Sequence, residues 1–212
     1  MRVLAASILA GLGGFIILVL EIVGARYLAK DFGGAFYVWV SQIGVVMVAL
    51  ACGYYIGGAL ADRRVRLSVL GVLLVGAGAF TFLVPTLAPP VINLIVNRHP
   101  PDQPIPALWQ KLDPALGSTC VFLLPCLVLA MIPPFLIRWC TSSVDCVGRA
   151  SGAVIAAGTI GSIAGVFVAG YILIEIMRIS DIFRLMGGLT VFSGLLSAGL
   201  DKWPDIKAEA AR

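Results

Sequence analysis

Charge is scarce in this chain. Only 12% of its 212 residues are charged, while 60% are hydrophobic. A soluble domain of this size could not bury so many apolar residues in one core. Histidine is nearly absent, with His99 the single example. Cys52, Cys120, Cys126, Cys140 and Cys146 form no CxxC pair. With one His beside them they have no metal-ligand spacing, and their odd number does not make a full disulfide framework. Cys52, Cys120 and Cys126 lie in apolar runs and read as small hydrophobes. Cys140 and Cys146 flank a loop expected in the cytoplasm, where thiols stay reduced. There is no glycine-rich phosphate loop, no H-E-x-x-H and no nucleophile elbow. No hydrolytic, redox or phosphoryl-transfer enzyme is therefore expected, and no cofactor or metal. No arginine-rich or aromatic-interleaved stretch offers itself to nucleic acid. The net charge of +4 sits in short loops and tails, so it bears on topology and lipid headgroups.

What is present is apolar length. A bilayer core takes about 20 apolar residues in a helix. Six runs meet that need, at about 3–28, 36–61, 67–88, 115–137, 150–174 and 180–200. The first has one Arg before it and no polar, small-residue cleavage region after it, so it reads as a retained span and not a signal peptide. The sixth starts near Ser180, with Asp181 and Arg184 in its first turn. Between the third and fourth runs, 89–114 is rich in Pro, Asn, Asp and Lys and reads as an outer loop. Within it, 107–112 suits a short interfacial helix through Trp109 and Lys111. The fourth run is interrupted by Pro125 and by Pro133-Pro134, which break the helix and free carbonyls. The expectation is an all-α polytopic membrane protein, a single transmembrane domain over 1–212.

Lys and Arg in short loops set orientation. With the N-terminus inside, the cytoplasmic segments hold Arg2, Arg63, Arg64, Arg66, Arg138, Arg149, Lys202, Lys207 and Arg212. The outer ones hold Arg26, Lys30, Arg98, Lys111, Arg178 and Arg184. Nine against six, sharpened by the cluster after the second span, favours both termini in the cytoplasm. Spans one to three and four to six would then form two units of opposite orientation, a 3+3 inverted repeat as in half of a major facilitator transporter. Spans two and five correspond. Each is the glycine-rich helix of its unit, and each ends in an acid followed by a base, Asp62-Arg63 and Glu175…Arg178.

Four groups of residues stand out. Gly53 and Gly57, with Gly58 beside them, and Gly161 and Gly165 put bare backbone on one helix face, for close packing or for a moving interface. Asp62, Arg63, Arg64, Arg66, Arg138 and Arg149 form a cytoplasmic gate or a positive-inside anchor. Glu21 and Arg26 are the charges near the outer end of span one, and such groups are costly in a bilayer. Being five apart they stand about 140° around the helix, poorly placed to pair. Glu21 then sits in a cavity or at the headgroup level. Gln42, Ser41 and Thr159 complete the polar candidates for a central cavity, or serve as interhelical hydrogen-bonding groups.

The run Gly58, Asp62, Arg63, Arg64, Val65, Arg66 resembles the G-x-x-x-D-R-x-G-R-R loop signature of major facilitator transporters, with Val65 at the second glycine. That likeness implies an aspartate that caps a neighbouring helix and pairs with arginine to latch an inner gate. A wider resemblance covers nearly all the spans. Its residues are Glu21, Arg26, Phe32-Gly33, Tyr37-Val38-Trp39 and Gly57-Gly58-Ala59-Leu60-Ala61-Asp62-Arg63. They continue with Pro134, Ile137-Arg138, Val147-Gly148-Arg149, Gly152 and Thr159-Ile160-Gly161-Ser162-Ile163-Ala164-Gly165. In order and spacing they resemble the membrane domain of bacterial proteins that fuse a major-facilitator-like part to a spermidine-synthase-like part. The glycine-rich loop and catalytic aspartates of that synthase-like part have no counterpart here, so the resemblance implies no synthase activity.

The reading that follows is a non-catalytic integral membrane module in a bacterial inner membrane. It would act as subunit or anchor for protein partners within the lipid bilayer. Two alternatives stand beside it. One is a homodimeric half-transporter for a small solute, a cationic amine by the polyamine-related resemblance. The other is a membrane anchor for a separately encoded synthase-like enzyme.

Overall fold

Long apolar runs without caps propagate as helix until glycine, proline or charge stops them. The structure, a computed structural model, describes residues 2–33, 36–100, 102, 104–141 and 147–201. Among these, every regular element is helical. Helix α1 spans Arg2–Phe32 and ends at Gly33, whose φ of 83° is a left-handed conformation that glycine adopts freely. Helix α2 spans Phe36–Arg63 and α3 spans Leu67–Val96. The fourth crossing is assembled from α4 (Ala107–Ser118), a π turn over Thr119–Leu123, α5 (Leu124–Ala130) and α6 (Ile132–Cys140). The fifth runs through α7 (Val147–Val168), a second π turn and the short α8 (Ile174–Ile176). The sixth is α9, Ile179–Leu200. Six helical stretches are thus long and apolar enough to cross a membrane, so the chain is built as an integral membrane protein. Cys146, Lys202, Lys207 and Arg212 lie outside the described residues.

One boundary differs from the sequence expectation. The segment 89–114 is not a loop at both ends. Helix α3 continues through Pro89-Pro90 to Val96, and α4 already starts at Ala107. The interfacial helix expected at 107–112 is the first part of the fourth crossing. The reason is packing beyond the prolines: Ile92 is fully covered in the core, and that burial holds the helix where local propensity would release it. Prolines are tolerated in apolar helices whose neighbours hold them in place.

Proline also shapes the fourth crossing. The ring of Pro125 would collide with a carbonyl one turn back in a regular helix, and the π turn just before it widens the coil at that place. At Met131 the helix breaks: the Met131 N–H turns back to the Val128 carbonyl at 3.1 Å, and Pro133-Pro134 open α6.

Helices in lipid gain little from apolar burial against one another, so close backbone contact decides the packing. Three pairs dominate. Helices α1 and α7 run parallel, with Gly161 against the Gly11 carbonyl and Gly165 against that of Phe15. Helices α2 and α5–α6 also run parallel, with Gly53 against the Leu127 carbonyl and Gly57 against Met131. Helices α3 and α9 run antiparallel through reciprocal glycines. A Cβ on Gly71 would stand 2.6 Å from the Gly194 oxygen and one on Gly194 equally close to the Gly71 oxygen; Gly78 and Gly187 repeat this at 2.7 Å. Hydroxyls at this α3–α9 seam satisfy themselves locally. Thr81, Thr190, Ser193 and Ser197 each donate to the carbonyl one turn back at 2.8 Å. Phe122, Phe135 and Phe183 are the bulkiest fully buried side chains, and Phe183 meets Tyr27 edge-on at 5.3 Å.

Candidate functional site

The polar residues collect in three places along the bundle. At the end where α2 and α6 finish, Asp62 pairs with Arg138 at 3.3 Å. The backbone N–H of Leu67, opening α3, donates to Asp201 Oδ1 at 2.9 Å, so the acid after α9 caps its neighbour. Arg2 lies over the Trp139 ring at 5.4 Å. Arg63 ends α2, Arg64 and Arg66 form the turn into α3, and Arg149 lies in the first turn of α7. The parallel course of α1 and α7 brings Arg149 to the same end as Arg2. The Asp62–Arg138 pair is exposed on both sides, 75% and 52%. Such pairs contribute about 0–1 kcal/mol. Asp62→Ala should therefore leave the thermal midpoint in detergent nearly unchanged; a large drop would show that the pair holds the fold together.

The four residues singled out as polar cavity candidates do not stand at one depth: Glu21 and Arg26 lie in the C-terminal half of α1, Gln42 in the second turn of α2, and Thr159 on α7 two residues before Gly161, which meets Gly11 in the N-terminal half of α1. Gln42 is fully buried between α2 and α4, where its Oε1 accepts from the Ser118 hydroxyl at 2.7 Å. Its Nε2 has no partner among the described residues. Gly24 makes room for that amide, since a Cβ there would come within 2.6 Å of Nε2. Glu21 is half-buried on α1 and Arg26 is exposed. Thr159 does line a cavity, of about 440 Å³, walled by α1, α2, α5–α6 and α7. Its polar groups are hydroxyls: Tyr54, Thr159 and Ser162, with Thr159 donating to the Ile155 carbonyl at 3.0 Å. No acidic or basic side chain lines it.

At the opposite end stands a cluster that the sequence reading passed over. Asp113 in α4 is nearly covered, its side chain 6% exposed. It takes an ion pair from Arg98, and its Oδ2 lies 2.8 Å from His99 Nε2. That distance fits Nε2–H donating to the carboxylate, so the approach of Arg98 Nε to the same nitrogen at 3.3 Å is a contact and not a second bond. The Arg98 guanidinium also lies over Trp109 at 3.8 Å. The ammonium of Lys111 lies 5.4 Å from the Tyr37 ring. Asp31, Tyr37, His99, Gln110 and Asp113 edge a second cavity of about 470 Å³ here. The cluster ties the end of α3 to α4. Its signal in the sequence is faint, an acid before Pro114 in a stretch that reads as loop.

Chemically, the contacts these groups make brace segments of the chain against one another. Among the described residues no three His, Cys, Asp or Glu side chains are placed to hold a metal ion. Cys52, Cys120, Cys126 and Cys140 are free thiols, and Cys126 is fully buried. No family model matches this chain, and no curated protein and no solved structure matches it either.

Proposed function

We propose that this chain is a non-catalytic membrane subunit that binds a partner membrane protein through the outward faces of α2 and α7. The supporting observation is where the small residues point. In the apolar windows of α2 and α7 only 22% and 17% of residues are buried, against 44–61% in the other four crossings. Both helices turn small residues outward: Gly44, Ala51 and Cys52 on α2, Gly152 and Ala156 on α7, with Gly170 exposed in the π turn that follows α7. A Cβ at Gly44, Gly152 or Gly170 would meet nothing. Small residues let a neighbouring helix approach closely, an advantage that lipid chains do not need.

The same reading includes a 3+3 inverted repeat. Exchanging the two units swaps the α1–α7 contact with the α2–α5/α6 contact and returns α3–α9 to itself. Both exchanged pairs are parallel and glycine-mediated, which favours the repeat. The gathering of Arg2, Arg63, Arg64, Arg66, Arg138 and Arg149 at one end favours a cytoplasmic placement of that end and of both termini. Transport of a cationic amine is the weaker reading, because no carboxylate lines the mid-depth cavity.

Photo-crosslinking residues placed at Val48 and Ile163 in native membranes should give discrete protein adducts, while Val72 and Leu195 on α3 and α9 should give lipid adducts only. Adducts of twice the chain mass would identify a second copy as the partner and sink the hetero-subunit reading. Lipid adducts at all four positions would sink partner binding altogether.

A further inference from the structure

Helix α7 packs on α1, Gly13 of α1 meets Ile132 of α6, and α2 packs on α5–α6. The two outward helices α2 and α7 therefore flank a groove whose floor is α1 and the fourth crossing. The cavity of about 440 Å³ lies in that groove, with Tyr54 on its α2 side and Thr159 on its α7 side. From α1 it is lined by Gly13, Gly14, Ile17 and Leu18. These positions recur every three or four residues, so they share one face of the helix, and the next position on that face is Glu21. The fourth crossing agrees. Ala130 lines the cavity, and Cys126, one turn before it, lies within reach of the Glu21 charge.

Glu21 is half-buried, and it stands about 28 Å along α1 from Arg2 and about 16 Å from Phe32, well inside the apolar body. Among the described residues it makes no hydrogen bond and no ion pair. Arg26 is exposed and about 140° away around the helix. A charge at such depth is costly, and groups of this kind pair with one another across helices. An apolar helix laid over the groove would seal the carboxylate in without a counter-charge. A helix with a basic side chain at that depth supplies one.

We infer that the partner seated across α2 and α7 presents a transmembrane helix whose Arg or Lys pairs with Glu21. This rests on the partner-binding role of those two faces and names the chemistry of the partner. A helix is about 10–12 Å across with its side chains, so the cavity takes side chains from a helix lying over it, and not the helix itself. The methylene stem of an Arg or Lys suits the apolar lining, while its charge reaches the carboxylate one turn beyond.

The test uses the full chain in phosphatidylcholine liposomes with synthetic transmembrane helices of leucine and alanine. Each carries one Arg, Leu or Glu at the depth of Glu21, and fluorescence transfer reads its association. The Arg helix should bind at least about tenfold more tightly than the Leu helix, and the Glu helix no better than the Leu helix. Glu21→Gln keeps the size and removes the charge, so it should erase the Arg preference, while Glu21→Asp should keep part of it. In native membranes, Glu21→Gln should cut the protein adducts at Val48 and Ile163 by at least about tenfold. Equal binding of the Arg and Leu helices to the wild-type chain overturns the pairing, and that comparison needs no variant to fold. An Arg preference that survives Glu21→Gln overturns it too, as do native adducts that Glu21→Gln leaves unchanged. None of these results removes the partner face, which stands or falls with the wild-type adducts; lipid adducts alone at Val48 and Ile163 would sink that face and the pairing with it.

Discussion

Gly161→Ala is expected to lower the stability of the folded chain by about 1–3 kcal/mol, the range for forcing extra atoms into a closed contact. The cost should fall at the upper end. A Cβ on Gly161 would run into the carbonyl, C and Cα of Gly11, all backbone atoms of α1 that no rotamer change can move aside. Relief requires α1 and α7 to separate, which would also loosen Gly165 from Phe15 further along the same face. Gly152→Ala is the matched control on the same helix. Nothing lies within 4 Å of its added Cβ, so the substitution should gain up to about 1 kcal/mol from helix propensity. Reversible unfolding of both variants in mixed micelles measures the difference. Equal effects of the two would show that α1 and α7 are not held by backbone contact at Gly161.

Asp113→Ala is expected to have the second largest effect, a loss of about 1–3 kcal/mol, because it leaves buried partners without their acceptor. His99, whose side chain is only 12% exposed, loses the carboxylate it bonds at 2.8 Å. Arg98 keeps its stacking on Trp109 and, at 33% exposed, can turn toward water, which limits the damage. The consequence should therefore concentrate at the connection between α3 and α4. Hydrogen exchange of the 92–112 stretch should rise more than that of α7, and Arg98→Ala made on top of Asp113→Ala should add little. A uniform rise across all helices, or full additivity of the two substitutions, would contradict a local clamp.

How much of this was readable in advance follows from which forces act locally. The six crossings were legible because a bilayer requires continuous apolar helix, and runs such as 36–61 satisfy that requirement without reference to anything else. The start of the last helix near Ser180 was legible for the same reason. The outer loop was misjudged because Pro89-Pro90 is a strong local signal. The burial of Ile92 that overrides it depends on other helices. The polar residues show the same division. That Gln42 would need a partner follows from chemistry; that the partner is Ser118 of α4, and not a shared cavity with Glu21 and Arg26, depends on the pairing of α2 with the fourth crossing. Asp113 was invisible for the complementary reason. A carboxylate in a loop-like stretch is ordinary, and only its covering by α3 and α4 makes it a bracing group.

The sequence by itself determined that this protein is helical, polytopic and membrane-embedded, since hydropathy and helix length act residue by residue along the chain. It also determined where backbone lies bare, at Gly53, Gly57, Gly161 and Gly165. Only the tertiary structure decided which helix each bare face meets, that Asp62 pairs with Arg138, and that the Met131 break opens onto a neutral cavity. Those outcomes depend on contacts between segments far apart in the chain. In lipid they are set by steric fit between helices, and apolar composition alone does not specify that fit.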